Sequence, residues 1–341
     1  MNNNNKNNKE VYEIINKIDK QYGKNTIFFI KDFYNSNKTV KIISSGSIKL
    51  DSALGILGYP EGRIIEIFGQ ESSGKTTLAL HAILEAQKKG HLCVFIDAEH
   101  AFDYKYCKNI GINLSKLILH LPTSGEQALE IVDKLIKSNL FKVIVIDSVS
   151  ALTPKAEIKG EIGDMTIGLQ ARLMSQALRK LTYNVYKYKT IVIFLNQIRE
   201  KIGNFYKSQI TSGGNALKFY SSIRLSISKI SFIKNEDKII GNKIIVKIIK
   251  NKLFPPFKKT KLYIIYGEGI SKEYEILDLG IKFNIIDKKG NWFYFNKINL
   301  GNGKENVRKY IKNNINLQLK LLHLINTKIS TKRKGFEPPK V

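Results

Sequence analysis

The segment GQESSGKTT at residues 69–77 restricts the fold of this chain more than any other stretch. It fills every fixed position of the pattern G-x-x-x-x-G-K-[ST]. A β-branched apolar segment, residues 63–69, precedes it, and residues 75–89 follow it with apolar side chains at helical spacing. Strand, glycine loop and helix in this order predict a phosphate-binding loop in a parallel α/β sheet, whose ligands lie beyond the carboxyl ends of the strands.

The loop predicts a site for the phosphates of a nucleoside triphosphate. Glycines allow close approach of the backbone, the helix N-terminus presents unpaired N–H groups, Lys75 adds positive charge, and the Thr76 hydroxyl is suited to bind Mg²⁺. The alternative is an ordinary glycine-rich turn with a chance lysine, and the complete pattern with both flanks correct argues against it. The predicted nucleotide-binding residues are Gly69, Gln70, Glu71, Ser72, Ser73, Gly74, Lys75, Thr76 and Thr77.

The composition is that of a globular chain with a large and a smaller domain. It has 341 residues, of which 43% are hydrophobic, enough for a sizeable core. No apolar run approaches the roughly 18 residues of a membrane span, and the amino end has no hydrophobic signal segment, so we expect a cytoplasmic protein with no membrane partner. Cys93 and Cys107 lack C-x-x-C spacing, so neither zinc nor a disulfide is expected.

The net charge of +27, from 56 basic and 29 acidic residues, has two explanations. A polyanion such as nucleic acid is the natural partner of so basic a chain. Compositional bias is the other, because Lys, Asn and Ile are abundant throughout, as an AT-rich genome would produce. The charge is spread along the chain, so charge alone does not decide between them.

Polar residues follow three further apolar runs, at residues 91–101, 142–148 and 190–199. The first run ends in Asp97 and Glu99, and the second ends in Asp147 and Ser148. The third ends in Asn196, Gln197 and Arg199. Because the carboxyl ends of parallel strands face the ligand, these side chains are expected near the nucleotide. Asp147 has the form of the acid that holds Mg²⁺ opposite Thr76, with Ser148 beside it.

Two of these strand-end residues are suited to act on the γ-phosphate. Glu99 is a candidate base that orients and deprotonates water, although spacing alone does not separate this role from that of a solvated or helix-capping acid. Gln197 is a candidate sensor of the γ-phosphate, as switch segments are in other nucleotide enzymes.

Two loop-like segments, residues 157–168 and 200–214, follow strands whose ends face the nucleotide. The second is rich in Gly, Ser and Lys and contains the adjacent aromatics Phe205 and Tyr206. Basic residues with an aromatic side chain suit single-stranded DNA, whose phosphates attract cations and whose bases stack on rings. Read alone, either segment is better explained as a solvated surface loop.

Taken together, these motifs resemble the bacterial RecA recombinase family from about residue 10 to about residue 325. The stretches that carry the resemblance are SSGSIKLDSALG (44–55), GRIIEIFGQESSGKTTL (62–78), FIDAEHAFD (95–103), VIVIDSVSALTPKAEI (143–158), NQIREKIG (196–203), TSGGNALKFY (211–220), VKIIKNK (246–252) and YGEGI (266–270). Gln70 departs from the family, which usually has proline there.

The resemblance assigns roles around the nucleotide, with ATP and Mg²⁺ as cofactors. It implies that Glu99 activates water, that Thr76 and Asp147 hold the metal, and that Lys75 and Gln197 contribute to catalysis. Further implied nucleotide contacts are Asp103 and Tyr106 at the adenine, Ser148, and Lys250 and Lys252 from a neighbouring subunit.

The resemblance also implies two DNA-binding loops, at about 157–168 and 197–214. The implied DNA contacts are Arg172, Arg179, Arg199, Lys201, Gly213, Gly214 and an aromatic that is Phe205 or Tyr206, since the loop is one residue short there. Lys304 is expected to guide incoming duplex DNA.

The expected architecture is an α/β, RecA-type phosphate-loop ATPase core with a mostly parallel sheet. Val11, Ile14, Ile15 and Ile18 form an apolar helical stripe, a core face by periodicity and a subunit contact by resemblance. The expected divisions are a disordered tail (1–9), a polymerisation helix and strand (10–35), the ATPase core (36–271), a small basic α/β domain (272–330) and a flexible basic tail (331–341).

The implied function is ATP-dependent homologous recombination and DNA repair. The chain would form a homo-oligomeric helical filament on single-stranded DNA and exchange strands with homologous duplex DNA. Further implied partners are a repressor of the LexA type, in the SOS response, and recombination mediators. Two alternatives stand beside it: a RecA-fold helicase or branch-migration motor, and a coat protein that binds single-stranded DNA without hydrolysing ATP.

Overall fold

The structure is a computed structural model that describes residues 2–23, 26–27, 29–31, 40–161, 164, 168–200 and 209–334. For residues 2–9, 199–200, 209–210 and 332–334 only the backbone is described. The chain divides into two compact units, Met1–Lys41 and Ile42–Val341.

The first unit contains helix α1, Asn2–Tyr22. The rings of Tyr12 and Phe29 lie 5.3 Å apart, and the Thr26 N–H donates to Asp19 Oδ1 at 3.0 Å, so the segment after the helix folds back along it. The predicted apolar stripe is on the surface, with Val11 and Ile14 exposed and Ile15 and Ile18 half-buried.

The described residues of the first unit differ from two expectations. The helix includes residues 2–9, which we expected to be disordered, because extending an existing helix costs far less than nucleating one. The strand expected between residues 10 and 35 is not seen in the described part of this unit, where residues 30 and 31 are helical. A strand needs a pairing partner, and the single chain supplies none to the described residues there.

The second unit alternates helices and strands. Its helices are α2 (Ile48–Leu54), α3 (Lys75–Lys88), α4 (Tyr104–Ile110), α5 (Gly125–Lys137), α6 (Lys155–Lys159), α7 (Leu169–Tyr188), α8 (Ala216–Tyr220), α9 (Lys272–Lys282), α10 (Lys304–Asn313) and α11 (Ile315–Lys334). Its strands are β1 (Ile42–Ile43), β2 (Tyr59–Pro60), β3 (Ile64–Gly69), β4 (Leu92–Asp97), β5 (Leu117–His120), β6 (Phe141–Asp147), β7 (Ile191–Glu200), β8 (Gln209–Thr211), β9 (Ile223–Asn235), β10 (Lys238–Asn251), β11 (Lys259–Ile265), β12 (Gly269–Ile270), β13 (Asp287–Lys289), β14 (Trp292–Phe295) and β15 (Ile298–Asn302).

A ten-stranded sheet forms the centre of the second unit, in the order β12-β11-β10-β9-β3-β7-β6-β4-β5, with β8 paired to β7. The strands from β9 to β5 are parallel, whereas β9 to β12 are antiparallel. This confirms the mostly parallel α/β core.

Apolar side chains cover both faces of this sheet, as buried parallel strands require. On one face Ile65, Ile67 and Phe95 pack against α3. On the other, Ile144 and Phe194 pack with α5 and α7. The runs of Val and Ile in these strands therefore leave their ends as the main places for polar side chains.

A smaller domain follows the sheet, in which β13, β14 and β15 form an antiparallel sheet beside α9, α10 and α11. Its last helix runs to Lys334, so it includes residues 331–334 that we expected in a flexible tail; residues 335–341 lie outside the described range. Among the described helices, none is both long and apolar enough to cross a membrane.

A fully buried carboxylate joins the small domain to the core. Glu275 on α9 accepts hydrogen bonds from the Ser47 hydroxyl and from the Ile48 N–H, at the start of α2. Burial raises the pKa of Glu275 to about 7, despite these hydrogen bonds and nearby Lys49. Beside it, Asp278 Oδ2 lies 2.9 Å from Lys49 Nζ, and Asp278 Oδ1 lies 2.9 Å from Lys304 Nζ. Burial alone would raise the pKa of Asp278, but the two lysines outweigh burial and lower that pKa.

The raised pKa of Glu275 predicts a pH-dependent contribution to stability. Between pH 4.5 and about 7 the folded chain binds a proton that the unfolded chain releases, so this contribution is complete below pH 4.5 and lost by about pH 7. Relative to Glu275→Gln, the free energy of unfolding of the native chain should fall by about 3 kcal/mol across this window.

Urea denaturation at each pH measures this difference. Asp278→Asn is the control with the opposite sign, because a lowered pKa gives stability that is lost as the pH falls. An equal difference between native and Glu275→Gln chains at both ends of the window would contradict the assignment.

Candidate nucleotide site and DNA-binding segments

The phosphate-binding loop lies between the end of β3 and the start of α3, as predicted. Its two fixed glycines have no room for a side chain. A Cβ on Gly69 would lie 2.2 Å from the Ile227 carbonyl oxygen, and one on Gly74 would lie 2.3 Å from Ile264 Cδ1. Gly74 also has a φ of 93°, in the left-handed region that favours glycine.

The Lys75 ammonium group is held inside this loop. Its Nζ donates to the carbonyl oxygens of Gln70 at 2.8 Å and Gly69 at 3.3 Å. Burial lowers the pKa of Lys75, while Asp147, Glu99 and Glu71 oppose that effect. The loop therefore combines a positive charge with the free N–H groups of a helix N-terminus, which is an anion-binding arrangement.

The loop opens onto a cleft of about 370 Å³. It is lined by Ser72, Gly74, Lys75, Thr76, Thr77, Tyr106, Asn242, Ile264, Tyr266 and Gly267. Ser73 Oγ, in the same loop, is buried and has no partner among the described residues. The residues present fit a nucleotide, with phosphates at the loop and an aromatic, half-apolar wall for a base.

Four of the lining residues were not predicted. Asn242 and Ile264 lie on antiparallel strands β10 and β11, and Tyr266 and Gly267 follow β11. The segment YGEGI was recognised as a motif, but only the fold shows that its strand passes the phosphate loop.

Thr76 and Asp147 meet across the mouth of the loop, where Thr76 Oγ1 donates to Asp147 Oδ2 at 2.7 Å. Burial raises the pKa of Asp147 to about 6, with Glu99 raising it further and Thr76 and Lys75 lowering it. The described residues contain no cluster of three or more His, Cys, Asp or Glu side chains that could hold a metal. Thr76 and Asp147 fit a magnesium ion that takes its remaining ligands from phosphates and water.

The predicted base and the predicted sensor are in direct contact. Glu99 Oε1 accepts from Gln197 Nε2 at 2.9 Å and from the Ser148 hydroxyl, which is 2.6 Å from Ser150 Oγ. Glu99 is exposed, and with Gln197 it lines a cavity of about 650 Å³. Ser148 is therefore placed to orient Glu99.

Tyr106 and Asp103 lie at the start of α4, next to the loop. The Tyr106 hydroxyl is 2.9 Å from Thr77 Oγ1, which fixes the ring at the edge of the cleft. Asp103 caps α4 by accepting from the Tyr106 N–H at 2.9 Å, so it orients the tyrosine and is itself exposed.

Lys250 and Lys252 are not brought to this cleft. Lys250 Nζ donates to the carbonyl oxygens of Lys218 at 2.7 Å and Phe219 at 2.9 Å, in the last turn of α8. Lys252 is exposed beyond the end of β10. Neither lysine is among the described residues that line the cleft.

The predicted DNA-binding residues that the structure describes fall in four places. Arg172 and Arg179 are exposed and seven residues apart, so they share one face of α7. Gly213 and Gly214 have φ of 80° and 74°, and a Cβ on either would lie within 3 Å of Val149 or Ala171.

Lys304 begins α10 in the small domain and pairs with Asp278 at 2.9 Å, so part of its charge is neutralised. Arg199 lies in β7, where only its backbone is described. Lys201, Phe205 and Tyr206 lie outside the described residues, as does most of the stretch from residue 162 to residue 167.

Comparison with known proteins agrees with this geometry. The family models of the RecA N-terminal domain and the RecA C-terminal domain match residues 9–271 and 274–330. The chain is 52% identical to Protein RecA of Rickettsia bellii (strain OSU 85-389) over 323 residues, 94% of each chain. It is 56% identical to Protein RecA of Ehrlichia ruminantium (strain Gardel) over 301 residues, 88% of this chain and 84% of that one.

The fold is also similar to the crystal structure of the RadB recombinase, with a TM-score of 0.53 and 24% sequence identity. That match covers 67% of this chain and 98% of the other. Since the two family models span both domains and the relatives are more than half identical over most of their length, the chain belongs to the RecA family.

Proposed function

We propose that this chain is an ATPase that single-stranded DNA stimulates, and that it assembles on that DNA into a helical filament for homologous pairing and strand exchange. Membership of the RecA family supports a role in recombination and repair. The observation that carries the proposal is the contact between Glu99 and Gln197, which links the nucleotide site to the strand leading into the predicted DNA loop.

Hydrolysis would proceed at the mouth of the phosphate loop. A water molecule attacks the γ-phosphorus, Glu99 accepts its proton, and the bond from that phosphorus to the bridging oxygen of ADP breaks. Lys75 and the N–H groups at the start of α3 stabilise the charge on the phosphates. Thr76 and Asp147 would hold Mg²⁺, which supplies charge neutralisation at the phosphate oxygens.

Gln197 would report the nucleotide state to DNA. Its side chain faces Glu99, while its backbone continues along β7 into the pairing with β8. If the Gln197 amide left Glu99 and donated to a γ-phosphate oxygen instead, the pair of strands β7 and β8 would change position, as switch segments do.

Assembly would complete the site and create the DNA surface. The exposed stripe on α1 would contact a neighbouring subunit, and Lys250 and Lys252 would reach that neighbour's nucleotide. Arg172 and Arg179, with Gly213 and Gly214, would follow the DNA backbone, and Lys304 would guide a homologous duplex.

Such a role belongs in the cytoplasm, with recombination mediators and a LexA-type repressor as further partners.

Strand exchange between a single-stranded circle and a homologous linear duplex, with ATP and Mg²⁺, tests the proposal directly. The native chain should form joint molecules and hydrolyse ATP faster with single-stranded DNA. Lys75→Ala should do neither, because the loop loses its positive charge. Lys88→Ala is the matched control, since Lys88 lies on the same helix but is exposed and pairs with Glu85.

Two other outcomes would favour the alternative functions, a motor or a coat protein. Hydrolysis that single-stranded DNA stimulates but that yields no joint molecules would indicate a motor. DNA binding without turnover would indicate an inert coat.

The contact between Thr76 and Asp147 predicts how magnesium strengthens nucleotide binding. Asp147→Asn should weaken binding of a fluorescent ATP analogue at least about ten-fold with Mg²⁺ and leave it unchanged in EDTA, because only the metal-dependent part uses the carboxylate. Asp97→Asn is the control, since Asp97 is also buried at a strand end but accepts from the Phe102 N–H rather than from Thr76. Equal losses with and without Mg²⁺ would contradict the metal role.

A further inference from the structure

A charged pair is buried in the strand that leads into the phosphate loop. Glu66 on β3 is fully buried, and its Oε2 accepts from Arg224 Nε on β9 at 2.5 Å. The Arg224 guanidinium lies 4.6 Å from the centre of the Phe68 ring. A buried carboxylate that is paired with a stacked guanidinium is fixed in position, because separating the two charges would leave each uncompensated.

The other oxygen of Glu66 holds Asn196, which is also fully buried. Asn196 Nδ2 donates to Glu66 Oε1 at 3.1 Å and to the Ser212 carbonyl oxygen at 3.0 Å, and its Oδ1 accepts from the Gln197 N–H at 2.9 Å. Both N–H bonds and one oxygen lone pair of the amide are thus used. The reverse orientation would point Oδ1 at a carboxylate and a carbonyl, so only one orientation is favourable.

Through these contacts Asn196 connects both ends of one segment, residues 198–211, to Glu66 on the strand before the phosphate loop. Gln197 and Ser212 lie on either side of the segment, and Asn196 bonds to the backbone of each. In the parallel pairing of β3 with β7, Asn196 is opposite Phe68 and Gln197 is opposite Gly69. A displacement of Gly69 would therefore move the start of the segment through this backbone pairing, and the Gln197 side chain would not be needed for it.

We propose that Asn196, anchored by Glu66 and Arg224, is a positioning residue that couples nucleotide binding to binding of single-stranded DNA. The inference rests on the proposed function, in which the segment after Gln197 contacts DNA. It adds a second route from the phosphate loop to that segment, beside the one through the Gln197 side chain. Asn196 itself touches neither the nucleotide cleft nor, in this role, the reacting atoms.

A four-way binding measurement tests the coupling. The affinity for a fluorescein-labelled oligo(dT) is measured with and without a non-hydrolysable ATP analogue and Mg²⁺, and the ratio of the two dissociation constants is the coupling factor. Asn196→Ala should reduce this factor about ten-fold. Its affinity for the analogue without DNA should stay close to the native value, because the phosphate loop is untouched.

Asn184→Ala is the matched control for loss of stability. Asn184 is likewise buried and donates to a buried carboxylate, Asp133, but it lies on α7, and no hydrogen bond joins it to the described residues of the segment. If it lowers the coupling factor as much as Asn196→Ala does, at similar thermal stability, coupling follows stability and the inference is overturned. An unchanged factor in Asn196→Ala also overturns it.

Asn196→Asp supplies a readout that a purely structural role would not give. The new carboxylate keeps the acceptor for the Gln197 N–H but repels Glu66, and when protonated it again donates to Glu66. Its coupling factor should therefore recover relative to the native chain as the pH is lowered, and a ratio independent of pH would contradict the inference. If the native chain itself shows no coupling, the proposed function fails, which is a separate and recognisable result.

Discussion

Parallel pairing in register is the constraint on which the site depends. Gly69 at the end of β3 is opposite Gln197, and Asp97 at the end of β4 is opposite Asp147. These strands are apolar and buried on both faces, so their pairing is fixed by packing on two sides. A slip of one residue would exchange the two faces and move the phosphate loop away from its acid and its sensor.

The sheet also tolerates charges that would be costly elsewhere. Lys75 and Asp147 are buried at the edge of the core. Burial disfavours the charged form of each, so it lowers the pKa of Lys75 and raises the pKa of Asp147. Glu66 is buried still deeper, where Arg224 compensates it. The apolar clusters on the two faces of the sheet hold these groups in place, so the stability of the core offsets the free-energy cost of burying charged groups at the site.

Much of the site could be predicted because its residues are local to motifs. The loop at 69–77, Asp147, Glu99 and Gln197 each follow an apolar run, and a parallel sheet gathers such ends at one edge. Tyr266 and Ile264 could not be found this way, since antiparallel β11 reaches the loop only through the order of the whole sheet. Asn196 was visible as a strand-end residue, but its bonds to Glu66 and Ser212 depend on distant parts of the chain. The strand expected within residues 10–35 is not seen in the described part of that range, where residues 30 and 31 are helical.

The hydrogen bond from Gln197 to Glu99 joins two strand ends that are not neighbours in the sheet. Glu99 follows β4 and Gln197 lies in β7, and β6 runs between these strands. The hydroxyl of Ser148, the residue after β6, donates to the same Glu99 oxygen. A movement at any one of these three strand ends therefore displaces the other two, so the predicted base and the predicted sensor change position together.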